Sequence, residues 1–317
     1  MDSIATITTM DTDIKQQILD LKRERGAIIL AHYYQRPEIQ DLADYIGDSL
    51  ALAQIATRLK EDVVVMCGVH FMAETVKVLC PDKTVLIPAP EAGCSLADSC
   101  PAEDFEVLVK AHPDATVISY VNTSAEVKAL SDILVTSSNA LKIVDSLPKD
   151  TKIIFGPDHT LGNYVASQTG RDMIIWDGAC HVHEQFSLSK LIELKKTHPG
   201  ARVLVHPECP RPIVMLADKV GSTAALLNYA AESDAHEFLV ATESGILHQM
   251  QLKCPDKTFI PVPPEDGTCA CNNCSYMKLI TLERLRDCLK NLTPTVEVDP
   301  AIANRARRPI DAMLALS

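Results

Sequence analysis

The 317-residue chain is 47% hydrophobic and carries a formal net charge of −12 at neutral pH. That apolar content supports well-buried cores and leaves no room for a long disordered region. The acidic balance disfavours nucleic acid and anionic membranes as partners, because a phosphate backbone needs a basic face; an anionic small molecule must be held by local donors instead.

The opening MDSIATITTMDTDIKQQ has neither a cationic stretch nor a long apolar run, so it does not read as a signal peptide. No segment reaches the roughly 18 apolar residues of a membrane helix. A cytoplasmic location is expected, and in that reducing setting the eleven cysteines point to metal ligation or redox chemistry before disulfides.

In chain order, residues 1–22 lead into one helix and AIILA (27–31) is a buried strand. PEIQDLADYI and SLALAQIATRL read as helices, VVVMC (63–67) as a strand, HFMAETVKVL as a helix, and VLIP as a strand running into the Cys94 loop. Strands alternating with short helices mean parallel βαβ units.

The same order returns twice. Asp44, Asp132 and Asp218 anchor three similar stretches, spaced 88 and 86 residues apart. In that register His32, Tyr120 and His206 lie 12 residues before the anchor, Tyr34, Asn122 and Glu208 lie 10 before it, and Ser49, Ser137 and Thr223 lie 5 after it. Cys94 and Cys180 follow their anchors by 50 and 48 residues. The period is too long for a solenoid. It predicts an α/β protein of three homologous domains about a pseudo-threefold axis: 1–110 with the N-terminal helix and Cys94, 111–198 with Cys180, and 199–317 with a third cysteine and the C-terminal helices.

Ligands of parallel α/β sheets sit beyond the carboxyl ends of the strands. The positions at −12 and −10 fall there. A Ser or Thr at +5 can cap the helix that follows, leaving backbone N–H groups as an anion site. Three such edges facing one axis would enclose a polar cavity floored by cysteines.

Thiolates suit zinc, copper(I) or iron–sulfur clusters, and three ligands leave one position open for substrate. The spacing does not give the two close pairs of a zinc ribbon, which favours an iron–sulfur cluster with one open iron. In the third loop the period favours Cys269, 51 residues past Asp218, over Cys274, 56 past it. Cys271 and Cys274 also form a C-x-x-C pair whose oxidation would block cluster assembly.

Within HPEC, Glu208 is a candidate general base, its pKa raised by burial. Tyr34 is a candidate proton shuttle and His183 a donor to an anionic substrate. Cys67, Cys80, Cys100, Cys209, Cys254 and Cys288 read as core or turn residues. Gly-rich phosphate loops, nucleophile elbows and H-E-x-x-H are absent from the sequence.

From about Gly26 to Met313 the chain resembles the quinolinate synthase family, through ILAHYYQ, IQDLADYIGDSL, FMAETVK, PDKTVLIP, YVNTSAEVKA, TSSNA, IFGPDHTLGNYV, GACHVHEQF, VHPECP, VGST and CSYMKLITL. The resemblance implies three Rossmann-like, three-layer α/β/α domains and one 4Fe–4S cluster on three cysteines with one open iron. By motif these fall on Cys94, Cys180 and Cys274. It implies condensation of iminoaspartate with dihydroxyacetone phosphate to quinolinate, phosphate and water on the route to NAD, with coupling to an L-aspartate oxidase. It further implies a substrate pocket of His32, Tyr34, Ser49, Tyr120, Asn122, Ser137, His183, His206, Glu208, Ser222 and Thr223. Glu208, Tyr34 and His206 are expected to be catalytic. The rival readings are a diphthamide-type cluster enzyme that binds S-adenosylmethionine and a non-enzymatic iron–sulfur sensor or electron carrier.

Overall fold

A computed structural model describes residues 2–265 and 272–317. The chain forms two compact units, Met1–Gly93 with Ser275–Asp299, and Cys94–Cys274 with Pro300–Ser317.

The smaller unit is built on one parallel sheet: β1 (Ala27–His32), β2 (Tyr45–Gly47), β3 (Val63–Cys67) and β4 (Thr84–Leu86), in the order β2-β1-β3-β4. Every residue of β1 is buried, as its unbroken apolar run requires of a strand covered on both faces. The helix Leu282–Asn291 returns to this unit late in the chain. Its Leu282, Leu285, Cys288 and Leu289 form one apolar stripe, which joins a core with Ile18, Ile29 and Val65.

The larger unit holds two more parallel sheets. One comprises β5 (Thr116–Tyr120), β6 (Ile133–Val135), β7 (Ile153–Gly156) and β8 (Ile174–Ile175), in the order β6-β5-β7-β8. The other comprises β9 (Arg202–Val205), β10 (Lys219–Val220), β11 (Glu237–Ala241) and β12 (Thr258–Pro261), in the order β10-β9-β11-β12. The molecule is thus α/β, and its three sheets share one strand order. The last helix, Pro300–Leu316, belongs to the larger unit, so the C-terminal stretch is divided between the two.

PEIQDLADYI departs from the expected helix. The helix stops after Pro37–Gln40, and Tyr45–Gly47 pairs with β1 instead. The anchor aspartate causes this. Asp44 N–H donates to the Ile29 carbonyl at 2.9 Å, and its carboxylate accepts from Ile29 N–H at 2.8 Å. Both groups of one residue are satisfied by one partner, which draws the following backbone alongside β1. Asp132 does the same to Val117 and Asp218 to Val203, at the same distances. The edge strands that follow are two or three residues long, too short to show a periodicity. Among the described residues, no helix is long and apolar enough to cross a membrane.

Candidate metal centre and active site

Each of the three cysteines follows the fourth strand of its sheet in sequence. Cys94 and Cys180 stand immediately before the short helices Ser95–Asp98 and His181–Glu184, and Cys274 precedes a single turn at Met277–Leu279. Within the larger unit, hydrogen bonds join the three loops. Ser95 Oγ lies 2.6 Å from His181 Nδ1 and also accepts from the His181 backbone N–H at 3.3 Å. Asn272 Nδ2 donates to the Val182 carbonyl at 2.9 Å. Cys274 N–H donates to Glu243 Oε1 at 3.0 Å, while Glu243 Oε2 accepts from Gly245 N–H at 2.6 Å.

Close approach of the Cys180 loop requires a glycine. Gly178 donates to the Pro157 carbonyl at 3.1 Å, and a Cβ on it would stand 2.6 Å from that oxygen and 2.3 Å from Ser99 Oγ. No other residue fits there without displacing backbone.

Burial pushes the Cys94 thiol up to about 12, with the neighbouring Cys274 and Glu208 adding like charge. Cys180 is raised by the same cause, then by Glu208 and Cys94. Cys94 therefore lies within electrostatic reach of both Cys180 and Cys274. They are half-buried, whereas the other described cysteines are buried, as expected of packing residues. Such a set fits a thiophilic cationic group, which alone makes three thiolates in one place favourable. Cys269 and Cys271 lie outside the described residues.

Beside the thiols sits a buried polar cluster centred on Glu208. Tyr120 Oη donates to Glu208 Oε1 at 2.5 Å, and His183 Nδ1 stands 2.8 Å from Oε2 and 3.3 Å from Cys180 Sγ. Donor atoms of Cys180, His183 and Glu208 all lie within 4.8 Å of one another. The His183 and His206 rings stack at 4.6 Å, and His183 Nε2 lies 3.0 Å from Thr242 Oγ1.

The expected rise of the Glu208 pKa is not what this geometry produces. Burial does push it up, but the imidazoles of His183 and His206 and the Tyr120 hydroxyl outweigh that and hold it below the usual carboxylate range. The carboxyl that rises is Asp158, lifted to about 7 by its own burial and then by the charge of Glu208. Burial lowers His206 to about 3, so its ring is neutral at neutral pH. Glu208 N–H donates to His206 Nδ1 at 3.4 Å, which leaves the ring proton on Nε2, facing Ser137 Oγ at 3.1 Å.

The hydroxyls at +5 do not cap their helices. Asp48 caps Ser49–Ala56 and Ser222 caps Thr223–Glu232, so Ser49 and Thr223 occupy the first helical position. Ser137 precedes Asn139, the residue before the helix Ala140–Ser146. The cap is one residue early because that residue has the extended backbone a capping side chain needs. Asn122 follows the end of β5, and its buried Oδ1 has no hydrogen-bond partner among the described residues. His32 and Tyr34 lie at the end of β1 in the smaller unit, where Tyr34 N–H donates to His32 Nδ1 at 3.1 Å.

Sequence reasoning passed over Ser95, Asp158, Thr160, His181, Thr242, Glu243 and Asn272. For Asp158 the register held a signal: it lies 26 residues past Asp132, where the other copies carry His70 and Ser244, each just beyond the third strand of its sheet.

The sequence model of the family described as NadA, quinolinate synthetase A protein, matches residues 16–315. A quinolinate synthase of Synechococcus sp. is 54% identical over 98% of this chain and 97% of its own length. Those of Thermosynechococcus vestitus and Chloroherpeton thalassium are 55% and 54% identical, each over 96% of this chain and 96% and 95% of their own.

Proposed function

The chain belongs to the quinolinate synthetase A family, and from that premise we propose that it condenses iminoaspartate with dihydroxyacetone phosphate to quinolinate, phosphate and water in NAD biosynthesis. The observation that carries the reading is a buried carboxylate, Glu208, held by Tyr120 and His183 beside three half-buried thiols. Cys94, Cys180 and Cys274 would hold one 4Fe–4S cluster. When bound, it supplies a Lewis-acidic iron that polarises a substrate oxygen.

The protein's own groups account for binding and proton movement. Glu208 takes up a proton at Oε1 or Oε2 and acts as general base; it grows more basic when substrate draws the Tyr120 hydroxyl away from Oε1. His206 offers its Nε2 proton, shared in this state with Ser137, to an anionic oxygen of the substrate. Ser222 and Thr223, buried at the start of a ten-residue helix, add hydroxyl and backbone donors for a carboxylate or phosphate. Asn122 supplies its unpartnered Oδ1 as an acceptor. Burial of Glu208, His183 and His206 keeps water from the imine, which hydrolyses in it.

His32, Tyr34 and Ser49 are kept as substrate-binding residues on the strength of the family motifs, with Tyr34 as a second proton carrier. The sequence repeat and the shared strand order support three Rossmann-like, three-layer repeats at 1–110, 111–198 and 199–317, with the pseudo-threefold arrangement that the family resemblance implies. A cytoplasmic location and an L-aspartate oxidase as the source of the imine complete the proposal.

Anaerobic iron and sulfide analysis, followed by addition of both substrates, tests it. Four irons per chain and formation of quinolinate are expected. Bound cluster without quinolinate would return the reading to a sensor or carrier.

A further inference from the structure

Asp158 has no part in the chemistry above. It follows β7 and caps the helix His159–Thr169, its Oδ1 accepting from Leu161 N–H at 2.7 Å. It is fully buried. Thr160 Oγ1 lies 2.5 Å from Asp158 Oδ1 and 2.9 Å from the backbone carbonyl of Glu208.

The protons on this line can be counted. Two short oxygen–oxygen contacts need two hydrogens, because unshared lone pairs repel at these distances. Thr160 carries one and a backbone carbonyl carries none. The second belongs to Asp158. With it, Asp158 donates to Thr160 and Thr160 donates to the Glu208 carbonyl. A single hydroxyl hydrogen divided between both acceptors would lengthen the two contacts together.

A second observation agrees. Asp158 Oδ2 is buried and has no hydrogen-bond partner among the described residues. An ionised carboxylate there would leave half its charge desolvated and unpaired, whereas a neutral acid leaves only a carbonyl oxygen.

We propose that Asp158 is a neutral carboxylic acid at neutral pH, a positioning residue that fixes the Glu208 backbone through Thr160 and leaves Glu208 as the ionised carboxyl of the pair. Two carboxyls in one buried site do not both ionise, and their surroundings sort them. Glu208 faces Tyr120 and His183; Asp158 faces a hydroxyl and one backbone N–H. The other titratable groups facing Asp158 are Glu208, His183 and the Cys209 thiol.

The inference rests on Glu208 being the working base, so the test separates the two. Infrared spectra of the anaerobic holoenzyme in H2O and D2O should show a protonated-carboxyl band that is absent from Asp158→Asn and retained in Glu208→Gln. Its absence from the wild type overturns the proposal. Thr160→Ser, which keeps the hydroxyl between Asp158 and the Glu208 carbonyl, should hold turnover to within a few-fold of the wild type. Asp158→Ala and Thr160→Val should lose roughly 10²-fold in kcat with KM and iron content little changed, the scale of a misplaced catalytic group. If Asp158→Ala does not fold, Thr160→Ser against Thr160→Val decides, and equal turnover in that pair counts against the proposal. Undiminished turnover in Glu208→Gln removes the reading of the base, while the Asp158 band stands or falls by itself.

Discussion

The ends of β1 and β9 carry the same backbone turn with different side chains. In one, Tyr34 N–H donates to His32 Nδ1; in the other, Glu208 N–H donates to His206 Nδ1. Both histidines are buried and stand 12 residues before their anchor aspartates. In the neutral His206 ring the accepting Nδ1 leaves the proton on Nε2. The residue two positions on differs: a phenol whose ring meets His32 edge-on at 4.5 Å, against a carboxylate gripped by Tyr120 and His183. The β5 copy has Tyr120 where the others have histidine, and it spends its hydroxyl on Glu208. The repeat fixes where a side chain leaves the strand; the residue type then sets its chemistry.

The comparison breaks most completely at the thiols. Cys94→Ala, Cys180→Ala and Cys274→Ala are each expected to reduce cluster absorbance, iron and sulfide to background, while Cys67→Ala, in the core of the smaller unit, retains them. Retention of full iron by Cys274→Ala would remove the third ligand assignment. Next in size is Glu208→Gln, which keeps the cluster and loses about 10²–10⁴-fold in kcat, the usual worth of a positioned acid–base group. Tyr120→Phe removes one hydrogen bond to a charged acceptor, worth about 1.5–3 kcal/mol. At 1.36 kcal/mol per decade that is roughly a tenfold to hundredfold rise in the proton affinity of Glu208, read as a shift of the acid limb of the kcat/KM profile to higher pH. Tyr34→Phe sharpens the pair. If the phenol moves a proton, turnover falls while urea-unfolding stability stays at the wild-type value; if it only packs, neither changes.

Much of this was readable before the fold was known. The −12 and −10 positions do sit at strand ends, because an anchor aspartate ties each copy to its first strand and so holds the register. The β2, β6 and β10 edges were not readable, since two or three residues show no alternation. Nor could the sequence reveal the direction of the Glu208 shift. Burial is legible from apolar flanks, but the opposing pull comes from Tyr120 and His183, 88 and 25 residues away. Asp158 escaped notice for the same reason: its meaning lies in contacts with Thr160 and Glu208, not in its neighbours.

The smallest effects concern the anchors themselves. Alanine at Asp132 strands the Val117 N–H in the sheet interior and is expected to cost about 1–3 kcal/mol by urea unfolding. Asparagine keeps an acceptor oxygen, so it isolates the charge. At Asp132 no ion pair is recorded among the described residues, whereas Asp218 pairs with Arg202 at 2.8 Å and Asp44 with Lys22 at 2.8 Å. Asp218→Asn and Asp44→Asn should therefore cost more than Asp132→Asn by at most about 1 kcal/mol, the ceiling for exposed pairs. For Asp218 the sign with pH follows. Partial burial pushes its carboxyl up, but the Val203 N–H and the Arg202 guanidinium hold it below the ordinary value. A folded pKa below the unfolded one stabilises the protein above the unfolded pKa, near 3.9, and that advantage fades as pH falls through the folded value. The wild-type margin over Asp218→Asn should thus be full at neutral pH and shrink on acidification below about 4. A margin that grew in acid would mean that Asp218 is held by burial and not by its partners.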